Sequence, residues 1–331
     1  MDSFKIAREY VNGNLCGWAG KNNPELVKTQ FNLYFSDKPE FKIIKKFGDS
    51  ATRKKTHLHW FTRKVLGKDT DNYPQEIGDC VSFGMKNALE YLTCTQILAN
   101  ALSQTVMSIQ DFIATAKFKF RPVFPPYLYG IGRNYIGKNQ LGSGDGSLGS
   151  WMAEAVLKYG SLFSDEPGVP RYSGSIAKAW GDSRSSDDLD KFVNIGQQRL
   201  VKSTALIRNW DDLCAAIHNG YPCTTASDIG YNMEASSDGF HRQTTNWGHQ
   251  MCFISVDQEY KEEYALILNN WGDCHGRLKD FTTNEDLPIG VLRVRRKDAE
   301  KHIAAGETYA ISQYDAFHEQ QLDKALFMLY S

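Results

Sequence analysis

Apolar positions along this chain keep two rhythms, one before and one after about residue 220. Across residues 80–102, apolar or small side chains recur at Phe83, Gly84, Ala88, Tyr91, Leu92, Ile97 and Leu98. That spacing is close to 3.6 and no proline interrupts it, so it predicts a helix that starts at or near Cys80. A further helical stretch over 109–117 runs into Pro122, Pro125 and Pro126, and consecutive prolines do not continue a helix. Residues 151–159 read as a helix closed by Gly160, and 210–218 as one ended by Gly220. After that point short apolar runs at 222–226, 250–256, 264–269 and 290–295 predict strands. Helices first and strands later, without βα alternation, imply an α+β fold with an antiparallel sheet or half-barrel.

Turn chemistry divides the chain further. Residues 1–70 mix an aromatic patch at 31–35 with the basic pairs Lys45-Lys46 and Lys54-Lys55, and end in the turn residues of 69–74. They are expected to form an N-terminal extension or accessory region. The main domain then runs over 71–331, with a helical part at about 71–200 and a β part at about 201–331. The glycine-dense stretch 142–150 contains G-x-G-x-x-G from Gly144 to Gly149, but it follows polar loop residues rather than a strand and carries no GxxxxGK[ST]. A close-packed turn is the expectation there, and a surface loop is expected over 167–190, which is rich in Ser, Gly, Asp and Pro.

Charge removes some partners. Lys+Arg 38 against Asp+Glu 39 leaves a net charge of -1, so no global field favours nucleic acid or an anionic membrane. The first residues lack the pattern of a secretory signal and no apolar run reaches membrane-spanning length, which reads as a cytoplasmic chain. The 7 cysteines are odd in number and never form CxxC, so neither a disulfide framework nor a zinc knuckle is expected. His57 with His59, and Cys274 with His275, come nearest to ligand spacing, but no second pair completes a tetrahedral set. No metal and no cofactor are expected.

Candidate chemistry lies elsewhere. Cys80 follows a glycine turn, Gln75-Glu76-Ile77-Gly78-Asp79, and opens the first long helix, where unpaired N–H groups stabilise a thiolate. His249 heads an apolar strand after Trp247-Gly248, and Asn269 ends the next one before Asn270-Trp271-Gly272. Antiparallel neighbours bring such residues side by side. The histidine then takes the thiol proton, and the asparagine carbonyl accepts the other ring N–H. Seen singly, each of these residues is ordinarily structural; four in this order favour a site. His218, His241 and His275 are the rival bases, His218 as an exposed helix residue and the other two as loop residues. Cys252 and Cys274 have no helix-start setting and read as bystanders.

These residues resemble the papain-like cysteine peptidases. Gln75 with Gly78-Asp79-Cys80 is similar to the nucleophile motif, Gly248-His249 to the histidine segment, and Asn269-Asn270-Trp271-Gly272, followed by Gly276, to the Asn-x-Trp-Gly segment. The stretch 125–129, Arg133, Asp145-Gly146-Ser147 and the helix end at 155–160 are similar to the intracellular, bacterial or phage-type branch, so the likeness spans roughly 73–296.

The resemblance implies a two-lobed fold, a peptide or protein substrate and an acyl-enzyme mechanism. Cys80 would attack, His249 shuttle the proton, Asn269 orient His249, Gln75 help hold the oxyanion, and Trp271 shield the pair. Because successive strand residues point to opposite faces, Asn269 is expected inward and Asn270 is expected to matter little. Three departures stand out: Gln75 is one residue nearer the cysteine than the family spacing, Val81 replaces the usual aromatic residue, and Ile77 replaces a cysteine. Residues 1–70 also lack the helical signature of the family's inhibitory prosegment. Two other readings use the same residues. One is acyl transfer or cell-wall amide cleavage of transglutaminase type. The other is a catalytically silent papain-fold protein serving in a phage or bacterial assembly, which would allow a virion-associated location.

Overall fold

A computed structural model describes residues 17–26, 54–103, 120–182 and 187–314, so the helix expected over 109–117 and Cys16 lie outside the described residues. The elements, in chain order, are β1 (Lys55–His57), α1 (Leu58–Leu66), α2 (Cys80–Ser103), α3 (Pro125–Gly130), α4 (Gly149–Lys158), α5 (Gly174–Gly181), α6 (Asp187–Gly196), β2 (Val201–Leu206), α7 (Trp210–His218), β3 (Cys223–Tyr231), β4 (Gln243–Asp257), β5 (Tyr264–Leu268), β6 (Val291–Arg295), α8 (Arg296–Ala304) and β7 (Glu307–Tyr314). The strands form one sheet in the order β2-β7-β3-β4-β5-β6, with β1 also paired to β4, and all pairings are antiparallel. The α+β class expected from the two rhythms is the class observed.

From Cys80 to Leu98 every side chain of α2 is buried. A helix covered on all sides needs partners for its polar residues. Lys86 Nζ meets Glu90 Oε2 at 2.9 Å and the Asp71 carbonyl at 2.9 Å, while Glu90 Oε1 accepts from Val123 N at 3.0 Å. The helix packs against β4 and against α1, and this places its first residue beside the middle of the sheet.

Several expectations are corrected. The accessory region does not extend to residue 70: Lys55, Thr56 and His57 pair with Asp257, Val256 and Ser255 of β4, and Leu58, Phe61 and Val65 of α1 enter the main core. The loop expected over 167–190 contains α5, because Ser173 Oγ caps the backbone N–H of Ile176 and the helix buries Ala177 and Trp180. The two prolines at 125–126 open a helix of their own, α3, since a first helical turn needs no N–H from them. Strands β2 and β7 and helix α8 were not legible; β2 and β7 pair with each other from Val201↔Tyr314 to Leu206↔Tyr309, although neither carries a sharp apolar alternation.

The glycine-rich stretch is a close-packed turn. Arg133 donates to the carbonyls of Gly142 at 2.5 Å, of Gly181 at 2.9 Å and of Gly146, while the Gly146 N–H donates to Tyr129 Oη at 2.9 Å. Gly146 has φ +103, a conformation that favours glycine. This clamp presents Ser147 to the β part of the molecule.

Candidate active site

Cys80 is the first residue of α2, and the chain ahead of it is held tightly. The carbonyl of Asp79 accepts from Ser82 N at 3.0 Å and Phe83 N at 3.3 Å, closing the first turn. Tyr172 Oη donates to Asp79 Oδ2 at 3.2 Å and accepts from Glu76 N at 2.8 Å, and Glu76 Oε2 accepts from Gly174 N at 2.7 Å. Burial pushes the Asp79 carboxyl well above the usual carboxylate range, against the opposing effect of the bond from Tyr172. Tyr172 and Gly174 were not singled out in the sequence, because they come from a segment about 95 residues away.

Cys80 Sγ accepts from the backbone N–H of Gln250, the residue after His249, at 3.4 Å. The helix start and this N–H together favour negative charge on sulfur. Burial pushes the thiols of Cys94, Cys214, Cys223, Cys252 and Cys274 up, which keeps them protonated.

β4 and β5 run antiparallel with Cys252 opposite Leu268, so the chain leaving β5 passes beside the part of β4 that precedes Cys252. His249 Nε2 and Asn269 Oδ1 are 2.7 Å apart. An amide oxygen only accepts, so the neutral imidazole carries its proton on Nε2 and Nδ1 is the basic nitrogen. Burial lowers the His249 pKa to about 4, against the opposing effect of the bond to Asn269. The ring of Trp271 lies 4.6 Å from that of His249, and Trp247 packs 4.7 Å from Trp271.

Asn270 is buried like Asn269 and has partners of its own. Its Nδ2 donates to Gln75 Oε1 at 2.9 Å and to the Cys80 carbonyl at 3.3 Å. Both asparagines lie past the end of β5 at Leu268, so strand alternation does not place them, and the Asn270 side chain expected to be idle faces α2. The Gln75 amide donates to the Ile77 carbonyl at 2.7 Å, and the Gln75 backbone N–H to the Asn270 carbonyl at 3.2 Å. Gln75, Cys80, His249, Asn269 and Trp271 therefore converge, with Gly78 in the turn; Gly248 and His249 lie in the middle of β4, which begins at Gln243, and not at the head of a strand as expected.

The rival histidines fall in different places. His218 is buried, not exposed, between Thr56 Oγ1 at 2.9 Å and Gln258 Oε1 at 3.1 Å. His241 and His275 are in loops as expected, yet both are buried near the site, with ring centroids 5.7 Å apart.

A short N-terminal segment reaches the same place. The N–H groups of Gly17 and Trp18 donate to the Gly248 carbonyl at 3.2 and 2.9 Å, Ser147 N donates to the Gly17 carbonyl at 2.9 Å, and Ala19 N donates to the Ser147 carbonyl at 2.9 Å. A cavity of about 520 Å³ adjoins the turn ahead of Cys80, lined by Tyr73, Glu76, Lys86, Glu90, Arg171 and Tyr172 among others. Among the described residues no group of three or more His, Cys, Asp or Glu side chains is arranged to hold a metal ion, and no helix is long and apolar enough to cross a membrane.

No family model matches the chain, and no curated protein matches it in sequence. Among solved structures it is similar to xylellain, a cysteine protease from Xylella fastidiosa, at 15% identity and TM-score 0.48, over 84% of this chain and 91% of that one. It is also similar to digestive procathepsin L 3 of the Tenebrio molitor larval midgut, at 13% identity and TM-score 0.45, over 79% and 70% of the two chains. Procathepsin B of Trypanosoma congolense matches at 10% identity and TM-score 0.47, over 80% and 78%. Overlap this loose leaves the chemistry to be decided by the residues themselves.

Proposed function

We propose that this chain is a papain-like cysteine peptidase that hydrolyses peptide bonds through an acyl-enzyme intermediate. The observation that carries the reading is the His249 Nε2–Asn269 Oδ1 contact of 2.7 Å beside a cysteine that opens a buried helix and whose sulfur sits under the Gln250 N–H. With the proton of His249 held on Nε2, Nδ1 takes the proton of Cys80, and the thiolate adds to the substrate carbonyl. The Cys80 backbone N–H and Gln75 Nε2 donate to the oxyanion. The imidazolium then protonates the leaving amine, and water, activated by the same imidazole, releases the acyl group and regenerates the thiol. The substrate is a peptide or protein segment, and no cofactor or metal takes part in this scheme.

The experiment is labelling with a thiol-directed peptidyl electrophile, alongside hydrolysis of a mixed peptide library, for the full chain and its Cys80→Ala variant. Labelling and hydrolysis that both disappear with Cys80→Ala support the reading. Labelling that persists at another cysteine, or a Cys80 that never reacts in the folded chain, would leave a silent protein of this fold in its place.

A further inference from the structure

We propose that His275 is a positioning residue for this site, acting one link beyond Asn269 to set the amide that in turn sets the imidazole of His249. The inference rests on the peptidase reading for its consequence in turnover, but its geometry stands apart from that reading.

The polarity of the chain of contacts is decided at both ends by backbone groups. Asn270 N lies 2.7 Å from Asn269 Oδ1, and a backbone N–H only donates, so the amide atom facing it is the oxygen. The same oxygen faces His249 Nε2. The amide nitrogen therefore faces the other way, 2.6 Å from His275 Nε2, which must be an acceptor. His275 then carries its proton on Nδ1, and that nitrogen lies 3.2 Å from the carbonyl of Met233, which only accepts. Reversing the amide would set two donors against each other at Asn270 N. It would also leave His275 holding the wrong tautomer for Met233.

Packing keeps His275 in that state. Its ring is buried, 6.1 Å from Trp271 at 30° and 6.3 Å from Trp247, with His241 edge-on at 5.7 Å. Burial and the neighbouring His241 lower its pKa to about 3, so it stays a neutral acceptor at ordinary pH. Gly272, between Asn269 and His275 with φ +65, turns the chain so that a residue six positions on comes back to Asn269. Asn269 is thus fixed by three partners, of which the sequence alone suggested only His249.

The test compares His275→Phe, which keeps a ring but removes the acceptor, with His275→Gln, which offers a carbonyl oxygen to Asn269 Nδ2. Peptide hydrolysis by the full chain should fall about ten- to a hundredfold in kcat for His275→Phe with KM changed less than about twofold, and His275→Gln should recover most of the loss. Adding His275→Phe to Asn269→Ala should cost nothing further, because both act through the same amide. Losses that multiply would overturn the inference. A second measurement needs no turnover: nitrogen-15 shifts of the imidazoles in the folded Cys80→Ala protein at neutral pH. A proton on Nδ1 of His275 supports the relay, and a proton on Nε2 overturns it. If Cys80→Ala itself retains hydrolysis, the peptidase reading falls, while the tautomer result still decides the role of His275.

Discussion

The indole N–H of Trp18 donates to the buried carboxylate of Glu307, whose other oxygen accepts from Ser150 N at 2.8 Å. This pins segment 17–19 between Ser147 and Gly248, the residue before His249. A segment hydrogen-bonded to the backbone on both sides, one of them next to His249, can restrict access to that residue. Trp18→Ala removes the anchor and leaves Glu307 without it, a change worth about 3 kcal/mol of local docking. Alkylation of Cys80 and peptide hydrolysis are expected to rise about tenfold or more. A fall in both rates at unchanged stability would mean that the segment helps build the site and does not restrain it.

Asn269 and Asn270 should both matter, for different reasons. Asn269→Ala removes the acceptor for His249 Nε2 and the donor to His275, and kcat is expected to fall about ten- to a hundredfold. Asn270→Ala releases the Gln75 amide and the Cys80 carbonyl, and a loss of about tenfold is expected with the imidazole tautomers unchanged. Steady-state kinetics with imidazole nitrogen shifts separates the two. Equal tautomer disturbance in both variants would refute the division of labour.

For Gln75, replacement by Ala should lower kcat by about two to three orders of magnitude if its amide serves the oxyanion. Gln75→Glu is the sharper probe: a carboxylate keeps an acceptor for Asn270 Nδ2 but has no N–H for the Ile77 carbonyl or for an oxyanion. Both variants should therefore be slow, with Gln75→Glu no better than Gln75→Ala. Activity in Gln75→Glu close to the parent would assign the oxyanion to backbone groups.

What could be read from the sequence was what sits at a change of period. Cys80 stands where a 3.6 rhythm begins, and His249 and Asn269 stand at the edges of apolar runs, so local pattern marked all three. Asn270 and His275 could not be read that way. The partner of Asn270 is Gln75, 195 residues earlier, and His275 meets Asn269 only through a bend at the positive-φ Gly272. Similarly, Lys55–His57 is three residues long and has no rhythm of its own; its strand character comes from β4, some 200 residues on. Residues that hold the site together are supplied by tertiary pairing, which no window of sequence contains.

β1 is fastened by a buried polar cluster. His57 Nδ1 meets Ser255 Oγ, His57 Nε2 lies 3.1 Å from Asp280 Oδ2, and Lys55 Nζ lies 3.3 Å from both Asp257 and Asp280. The order Ser, His, Asp looks like hydrolase chemistry, but Ser255 has 0% exposure and a substrate carbonyl has no approach to it. Breaking the cluster with His57→Ala should cost about 3 kcal/mol of stability while leaving the rate constant of the folded protein intact. Urea unfolding and active-site titration measure the two quantities. A serine-directed phosphonate that labelled Ser255 would contradict the structural role.

Acid should unfold this protein through its histidines. Burial lowers the pKa of His57 and His59, of His241 and His249 to about 4, and of His275 and His302 to about 3. A folded-state value below the unfolded one means that the unfolded chain binds the proton first. The stability these groups contribute is full above about pH 6.5 and is lost as pH falls toward their folded values. Three buried carboxyls, Asp79, Glu90 and Glu307, have raised values and act in the opposite sense over part of the same range. Because the histidines outnumber these carboxyls, the net effect is proton uptake on unfolding and a fall in stability between about pH 6 and 4.5. Urea unfolding across that range should show a steep fall, and His302→Gln, which removes one of the six while keeping a polar partner for Ser227 and Tyr231, should flatten the slope by about one proton. A slope left unchanged by His302→Gln would mean that His302 is already protonated in the folded state.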